Sequence, residues 1–245
     1  MPERALGMVM AGGRGTRMAA SHPFAPKTLV HVAGVPLLEI VLDQLQRGGV
    51  PEICVALRHE AERIQRWVAA LPGAAEGRVR CLVEPEPLGT IGALWLVRDE
   101  QRTIAVMNGD LLSGVDLAAM FAFHRERGAD LTIATHTEYH RLKLGEVVTR
   151  DDRVVEYREK PVKEYRISSG IYLLEPSVLR LLVRCEWLGF PDLARRAIDA
   201  GLRVLEYFHD EPWLDVNDAA DLAQAEEMLR RDPAAFGLPP GRVQP

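Results

Sequence analysis

A short stretch near the start of the chain has the residue types that bind anions. Residues 8–18 read MVMAGGRGTRM, so an apolar run ends in three glycines and two arginines, and Lys27 follows the second arginine by ten residues. Glycines permit positive φ angles and close approach of the backbone to a ligand, while guanidinium groups add fixed positive charge. The combination predicts a site for a ligand with several phosphate oxygens.

Two common phosphate-binding loops fit this stretch poorly. A P-loop closes with Gly-Lys followed by Ser or Thr, an ending that the stretch lacks. A dinucleotide-binding turn opens directly into a helix and is paired with an acidic residue at the end of the second strand, where this chain has Arg58. A turn that merely connects a strand to a helix is a third explanation, and the pairing of the glycines with Lys27 argues against it.

The elements that must position these residues alternate between apolar strands and helices. Short apolar strands that alternate with helices along the chain predict a parallel sheet covered by helices on both faces. Two short strand-like runs, 146–149 and 154–157, flank a polar turn and predict a β-hairpin. The pattern predicts strands at residues 5–10, 52–57, 78–83, 103–107, 130–136, 167–174 and 203–209, and helices at 36–46, 60–71, 90–98, 116–127, 176–183, 191–200 and 219–230.

Composition limits the classes of protein and partner. The chain has 245 residues, 47% of them hydrophobic, which predicts one α/β domain over residues 1–231 and a Pro-rich, loosely ordered tail over 232–245. A formal net charge of -5 argues against nucleic acid as a partner. No apolar run reaches the length of a membrane span and no signal segment precedes the first strand, so we predict a cytoplasmic protein with no membrane partner.

Four further short motifs follow the glycine stretch. They are EPEPLGT at 84–90, NGD at 108–110, EKP at 159–161 and WLDV at 213–216. Together with GGRGTR at 12–17 and Lys27, these motifs resemble the signatures of the sugar-1-phosphate nucleotidyltransferases, the nucleotide-sugar pyrophosphorylases. Each motif is short, but in this order they span nearly the whole chain. The nearest likeness is to the guanylyltransferases that make mannose and heptose derivatives.

The resemblance implies a fold and a reaction. The fold would be a Rossmann-like three-layer α/β/α domain with a mixed, mostly parallel sheet and a small β-hairpin insertion on the sugar side. In the reaction, an oxygen of a sugar 1-phosphate attacks the α-phosphorus of a nucleoside triphosphate, and pyrophosphate leaves. Because both substrates are anions, catalysis depends mainly on charge neutralisation by Mg²⁺ and by lysine and arginine.

The resemblance also assigns site residues. Of the implied catalytic group, Arg17 would contact the departing pyrophosphate, Lys27 the phosphate under attack and Lys160 the phosphate of the sugar. Asp110, the fourth catalytic residue, and Asp215 would bind Mg²⁺, which prefers hard oxygen ligands. The other implied contacts are to the nucleotide, by Ala11, Gly12, Gly13, Gly15, Thr16, Glu84, Gly89 and Thr90, and to the sugar phosphate, by Gly145, Glu159, Lys160, Ser169 and Gly170.

The identity of the base follows from hydrogen-bonding capacity. A carboxylate can only accept hydrogen bonds, whereas a glutamine can donate and accept, which suits uracil or thymine. Guanine offers two adjacent donors, so Glu84 or Glu86 could accept both of them, and we therefore expect GTP as the nucleotide. The alternatives are uridylyl, cytidylyl, thymidylyl or adenylyl transfer, or a catalytically silent homologue that binds nucleotide sugars and regulates a partner.

This chain departs from the common family pattern at several positions. Residues 18–22 read MAASH where Leu-x-Pro-Leu-Thr is common, and Thr28 stands where a proline is common. Asn217 replaces a frequent glycine after the second metal motif, and Ser169 replaces a frequent asparagine. These changes leave the sugar open, and the sequence also leaves open whether the chain forms a homo-oligomer.

Overall fold

The computed structural model describes residues 5–13 and 26–244, and a seven-stranded sheet lies at its centre. The strands of this sheet are β1 (Leu6–Met10), β4 (Glu52–Leu57), β5 (Val79–Val83), β6 (Ile104–Asn108), β8 (Leu131–Arg141), β11 (Val162–Leu174) and β12 (Val204–Phe208). Their order across the sheet is β12-β8-β11-β6-β1-β4-β5. Neighbouring strands run parallel except at β11, which is antiparallel to both β6 and β8.

Helices cover both faces of this sheet because successive strand residues point to opposite sides. In β4, Ile53 and Val55 pack into one apolar cluster, and Cys54 and Ala56 pack into another. The first cluster includes residues of α1 (Leu37–Arg47), α2 (Ala61–Ala69) and α3 (Leu117–Glu126). The second includes α4 (Pro176–Leu179), α5 (Phe190–Asp199) and a 3₁₀ turn at Gly92–Val97. The three-layer α/β/α arrangement with a mixed, mostly parallel sheet is therefore confirmed.

An arm of antiparallel strands extends from one end of the sheet. Strands β8 and β11 stay paired well beyond the core, from the pair Ile167 and His136 out to Val162 and Arg141. Between them lies the expected hairpin, formed by β9 (Glu146–Arg150) and β10 (Arg153–Arg158). Both strands of this hairpin are largely solvent-exposed.

A third apolar cluster joins the chain's end to short strands next to the sheet. It contains residues of β2 (His31–Val32), β3 (Val35–Pro36) and α6 (Ala219–Arg231). Two more short strands, β7 (Leu111–Ser113) and β13 (Trp213–Asp215), pair with each other beside it. None of the helices in the described ranges has the length and apolar composition that crossing a membrane requires.

Residues 232–244 depart from the prediction of a loosely ordered tail. They form 3₁₀ turns at Pro233–Phe236 and Pro240–Arg242, and Asp232 caps the first turn by accepting a hydrogen bond from an amide N–H at 3.1 Å. Phe236 and Leu238 are only 1% and 2% exposed and belong to the third cluster. The prolines suggested disorder, but at the first positions of turns their fixed φ favours structure.

Candidate functional site

A cleft of about 920 Å³ opens at the edge of the sheet where β1, β4, β5 and β6 end. The carboxyl ends of parallel strands are the usual ligand-binding edge of open α/β sheets. Of the residues assigned from sequence, those that line this cleft are Ala11, Gly12, Gly13, Lys27, Glu84, Gly89, Thr90 and Asp110. Gly15, Thr16 and Arg17 lie outside the described residues.

A lysine and an aspartate form an ion pair in this cleft. The Nζ atom of Lys27 lies 2.6 Å from Oδ2 of Asp110 and 3.0 Å from Oδ1 of Asn217, and it donates to both. The Lys27 side chain is 11% exposed and the Asp110 side chain 27% exposed. The phosphate-binding lysine and the metal-binding aspartate expected from sequence are therefore neighbours.

Backbone contacts explain why Lys27 and Asp110 meet. Lys27 begins a 3₁₀ turn, Lys27–Leu29, and the next side chain, Thr28, is buried. Gly109 lies against this turn: a β-carbon there would come within 3.1 Å of Thr28 and 3.0 Å of the Met10 carbonyl oxygen. The NGD turn can therefore pack directly between the end of β1 and the Lys27 turn.

Asp215 reaches the same place through the short β7–β13 pair. Asp215 is paired with Leu111, the residue after Asp110, and the Val216 N–H donates to the Asp110 carbonyl oxygen at 3.0 Å. Asp215, at the end of β13, is thus next to Asp110, which immediately precedes the partner strand β7. Within residues 5–13 and 26–244, no group of three or more His, Cys, Asp or Glu has a geometry that could hold a metal ion. A site here would use two carboxylates and oxygens of the substrate.

Glu84 brings a buried carboxylate to the cleft at the end of β5. Its backbone N–H donates to the Leu57 carbonyl oxygen, which continues the β4–β5 pairing, and the residue is 7% exposed. Its Oε2 accepts a hydrogen bond from the Leu88 N–H at 3.3 Å. Burial raises the pKa of Glu84, and this hydrogen bond and the charge of Arg58 oppose the increase.

A glycine is required where the first turn meets this carboxylate. A β-carbon on Gly12 would lie 2.8 Å from Oε1 of Glu84, closer than real contacts allow. The bare backbone at Gly12 therefore lets the glycine turn and the Glu84 carboxylate line one continuous surface. Glu86, the other candidate for base recognition, is exposed and is not part of the cleft lining.

Gly89 and Thr90 close the cleft through contacts with the segment before α5. Gly89 has φ +82°, and a β-carbon there would overlap the Leu188 backbone. The Leu188 N–H donates to the Leu88 carbonyl oxygen at 2.9 Å, and the Thr90 hydroxyl accepts from the Phe190 N–H at 3.4 Å. These contacts fix the PLGT turn at the cleft edge.

Several lining residues were not expected from the motifs. Arg58, His59 and Glu60 follow β4, and Trp187 precedes α5. Arg58 could have been found from its position, because it follows a buried strand at the edge where ligands bind. Trp187 could not, because it reaches the cleft through the contact of its neighbour Leu188 with the PLGT turn.

Ser169 lies in a separate, prebuilt polar cluster. Its buried hydroxyl contacts Nδ1 of His136 at 2.9 Å and Nε2 of His209 at 2.8 Å. The Trp213 Nε1–H donates to the Ser169 carbonyl oxygen at 2.8 Å, and the His136 and Trp213 rings stack with centroids 4.3 Å apart. His136, His209 and Trp213 line a second cavity of about 390 Å³. Gly170 connects this cluster to the main cleft, because a β-carbon there would come within 2.7 Å of Nδ2 of Asn108, which lines the cleft.

The remaining assigned residues lie on the arm, and none of them lines the main cleft. Glu159 and Lys160 follow the hairpin; their side chains are 65% and 57% exposed and lie 3.8 Å apart. Lys160 has φ +44°, an uncommon value for a residue with a side chain. Gly145 precedes β9, and the Tyr157 hydroxyl packs against it so closely that a β-carbon would overlap.

Comparison with known proteins gives the family. Residues 6–232 match the family described as Nucleotidyl transferase. The chain belongs to this family. It is 31% identical to a probable mannose-1-phosphate guanylyltransferase 1 of Oryza sativa over 87% of this chain and 62% of that protein. It is 30% identical to a UTP–glucose-1-phosphate uridylyltransferase of Synechocystis over 97% of this chain and 67% of that protein.

The comparison of structures supports the fold of this family member. A crystal structure of a candidate glucose-1-phosphate thymidylyltransferase from Bacillus anthracis superimposes with a TM-score of 0.73, at 17% identity, over 96% of each chain. The chain spans about two thirds or less of the length of the curated relatives named above. The resemblance to sugar-1-phosphate nucleotidyltransferases found in the sequence is therefore confirmed at the level of the family.

Proposed function

We propose that the protein transfers a guanylyl group from GTP to a sugar 1-phosphate, giving a GDP-sugar and pyrophosphate. The observation that carries the choice of guanine is the buried Glu84 carboxylate in the main cleft. The transfer itself is supported by the family and by the Lys27–Asp110 pair in the same cleft.

The choice of guanine rests on what a buried carboxylate requires. A carboxylate away from water loses its hydration and favours a partner that donates hydrogen bonds to it. Glu84 receives one such bond, from the Leu88 N–H, and its pKa is raised by burial. The ring N–H and the exocyclic amine of guanine would supply two adjacent donors, which uracil and adenine lack. Guanine therefore compensates the burial of this side chain better than the other bases.

The phosphates are assigned to the part of the cleft next to Lys27. The backbone of Ala11, Gly12 and Gly13 would hold the triphosphate, and the Lys27 ammonium would neutralise charge at the α-phosphate as the sugar phosphate attacks. The bond from the α-phosphorus to the bridging oxygen then breaks, and pyrophosphate leaves. No covalent intermediate on the protein is needed.

A divalent cation fits the residues in this part of the cleft. Asp110 already has a cationic group, the Lys27 ammonium, 2.6 Å from its Oδ2, and Asp215 is adjacent across the β7–β13 pair. Two carboxylates with open positions for water and phosphate oxygens suit Mg²⁺. When bound, Mg²⁺ would neutralise phosphate charge during transfer. These two aspartates would hold it, and Lys27 would bind the phosphate beside it.

The sugar phosphate is assigned to the arm side of the site. Lys160 would bind its phosphate, and Gly145, Glu159, Ser169 and Gly170 would surround the sugar. Gly170 supports this assignment because it contacts Asn108 at the cleft edge. The cytoplasmic location predicted from the sequence stays a prediction.

A pyrophosphate-release assay tests the proposed function. The protein is mixed with Mg²⁺, one of GTP, UTP, CTP, dTTP or ATP, and a panel of sugar 1-phosphates that includes mannose 1-phosphate and glucose 1-phosphate. We expect a kcat/KM for GTP at least about tenfold above that of any other nucleotide, or about 1.4 kcal/mol of discrimination. A tenfold preference for another base would contradict the choice of guanine. If no combination of nucleotide and sugar 1-phosphate releases pyrophosphate, the result would favour a catalytically silent, regulatory homologue.

Replacement of Glu84 tests whether its buried carboxylate selects guanine. Glu84→Gln keeps the shape but replaces an acceptor oxygen by a donor, so the amide would meet at least one guanine donor with a donor of its own. We expect kcat/KM for GTP to fall by about tenfold to a hundredfold, and the preference for GTP over UTP to narrow or reverse. Glu86→Gln, at the exposed neighbour, is the matched control and should change neither value. An equal loss for GTP and UTP in Glu84→Gln would instead indicate a structural role.

A further inference from the structure

The Lys27 ammonium occupies an acceptor that a metal ion would use. Two carboxylates supply the charge that attracts a divalent cation, and Lys27 neutralises one of them at 2.6 Å. A cation arriving alone must displace this ammonium from Asp110 or bind the carboxylate against the repulsion of the ammonium charge. A cation arriving with a triphosphate need not, because the phosphate oxygens offer the ammonium another partner of greater negative charge.

Asn217 is built to keep Lys27 in that position. Its Oδ1 accepts from Nζ of Lys27 at 3.0 Å, while its Nδ2 donates to the Asp215 carbonyl oxygen at 3.2 Å. The second bond orients the amide so that its oxygen faces the lysine. The Asn217 N–H also donates to Oδ2 of Asp221 at 2.9 Å, within the capping box at the start of α6. Glycine, which is common at this position in the family that the sequence resembles, has no side chain to accept from Lys27.

We propose that Asn217 is a positioning residue that holds the Lys27 ammonium on Asp110, so that a divalent cation binds tightly only together with a triphosphate. This inference rests on the proposed function and adds to it the order in which the nucleotide and the metal ion bind. With the phosphate chain present, Lys27 turns from Asp110 and Asn217 to the phosphates, and Asp110 is released for the metal. The protein thereby avoids filling its metal site before the nucleotide is in place.

The experiment is a titration of the nucleotide-free protein with Mn²⁺ alone. The electron paramagnetic resonance signal of the free ion measures how much Mn²⁺ remains unbound. We compare wild type, Asn217→Ala, Lys27→Met and the double variant. Coupling energies between neighbouring sites predict that Asn217→Ala binds Mn²⁺ about fivefold more tightly than wild type, and Lys27→Met about tenfold or more. If Asn217 acts through Lys27, the double variant should equal Lys27→Met.

Two further measurements separate positioning from other effects. Asp232→Asn, which removes a carboxylate that caps the turn Pro233–Phe236 at the other end of α6, is the control and should bind Mn²⁺ like wild type. The preformed complex of Mn²⁺ with inorganic tripolyphosphate should bind wild type and Asn217→Ala within about twofold, because the phosphates then compete for Lys27 in both.

Several outcomes would overturn the inference. They are an unchanged or weaker Mn²⁺ affinity in Asn217→Ala, a full Asn217→Ala effect that persists without Lys27, or the same gain in Asp232→Asn. Failure of every chain to bind Mn²⁺ would overturn it as well. None of these titrations needs turnover, so an absence of pyrophosphate release with every substrate pair would refute the proposed function and leave the Lys27–Asn217 result standing.

Discussion

The two sides of the site hold their charged side chains in different ways. On the inner wall, formed by Lys27, Asp110 and Asn217, the ammonium is largely buried and bonded to two partners at 2.6 and 3.0 Å. On the arm, the Lys160 side chain is 57% exposed, and the carboxylate of its neighbour Glu159 is 3.8 Å away. An exposed pair at that separation contributes little to stability. The inner wall is therefore preorganised, whereas the exposed side chains of the arm would be ordered only by a bound ligand.

This difference predicts different kinetic roles. Groups that the protein already confines within the cleft need little further ordering to act on the transition state, so their loss appears in kcat. Groups that the substrate must order contribute to binding, so their loss appears in KM. Variants on the two sides test whether inner-wall residues act on kcat and arm residues on KM.

The largest effect is expected at Asp110 of the inner wall and at Asp215 beside it. Asp110→Asn or Asp215→Asn replaces a charged oxygen ligand of the proposed metal by a neutral one, so kcat should fall by at least about a hundredfold. Pyrophosphate release at saturating substrates measures kcat. Circular dichroism and thermal unfolding check that the fold is intact. Near-normal turnover of both variants at limiting Mg²⁺ would exclude a metal-binding role for the two aspartates. The proposal that the inner wall acts on kcat would then lose its main support.

A somewhat smaller loss is expected at Lys27. Lys27→Ala removes the charge that would lie at the α-phosphate once the nucleotide draws Lys27 from Asp110, so kcat should fall by about a hundredfold while KM for the sugar phosphate changes by less than about threefold. Steady-state kinetics with each substrate varied in turn separate the two constants. A change confined to the melting temperature would show that the ion pair with Asp110 is only structural.

Lys160 should behave in the opposite way. Lys160→Ala is expected to raise KM for the sugar 1-phosphate by about tenfold and to change kcat little, because an exposed lysine mainly binds the phosphate that orders it. Lys143→Ala, at another exposed lysine of the arm, is the matched control and should have no effect. If Lys160→Ala lowers kcat as strongly as Lys27→Ala does, the contrast between the two sides fails.

The sheet could be predicted from the sequence because its strands are apolar and local. Residues 52–57 were expected as a strand and form β4, and the helix expected at 219–230 is α6 with one further residue. The prediction stopped β8 at residue 136, whereas it continues to Arg141. Residues 137–141 are polar and partly exposed, so their strand conformation depends on pairing with distant residues of β11. Such a pairing leaves no local pattern.

The site could be predicted only in part for the same reason. Motif order gave Lys27, Asp110 and Glu84 as candidates, and the fold brings all three into one cleft. It could not rank Glu84 above Glu86, because their difference in burial depends on Gly12 and Leu88 packing around one of them. Nor could it find the contact of Asn217 with Lys27, which joins residues 190 positions apart. Roles of residues on the arm stay predictions.

The smallest effect concerns the histidine cluster where the arm joins the core. Burial lowers the pKa of His209 to about 4, the nearby His136 adds to this decrease, and Asp210 opposes it. In the unfolded chain the pKa is near 6.5. Because the folded pKa is the lower one, the unfolded chain binds more protons between pH 6.5 and 4, and stability falls as the pH falls through this range.

The expected loss is about 1 kcal/mol in the free energy of unfolding between pH 7 and 5.5. Denaturant unfolding at both pH values measures it, and His209→Gln, which cannot titrate, should reduce the pH dependence by that amount. His59→Gln controls for exposed histidines, because His59 is solvent-exposed. An equal pH dependence in wild type and His209→Gln would mean that the fold does not hold His209 neutral beside Ser169. Within the described residues, the proposed sugar side would then have no preorganised group at Ser169. All of its side chains would differ in this respect from those of the inner wall.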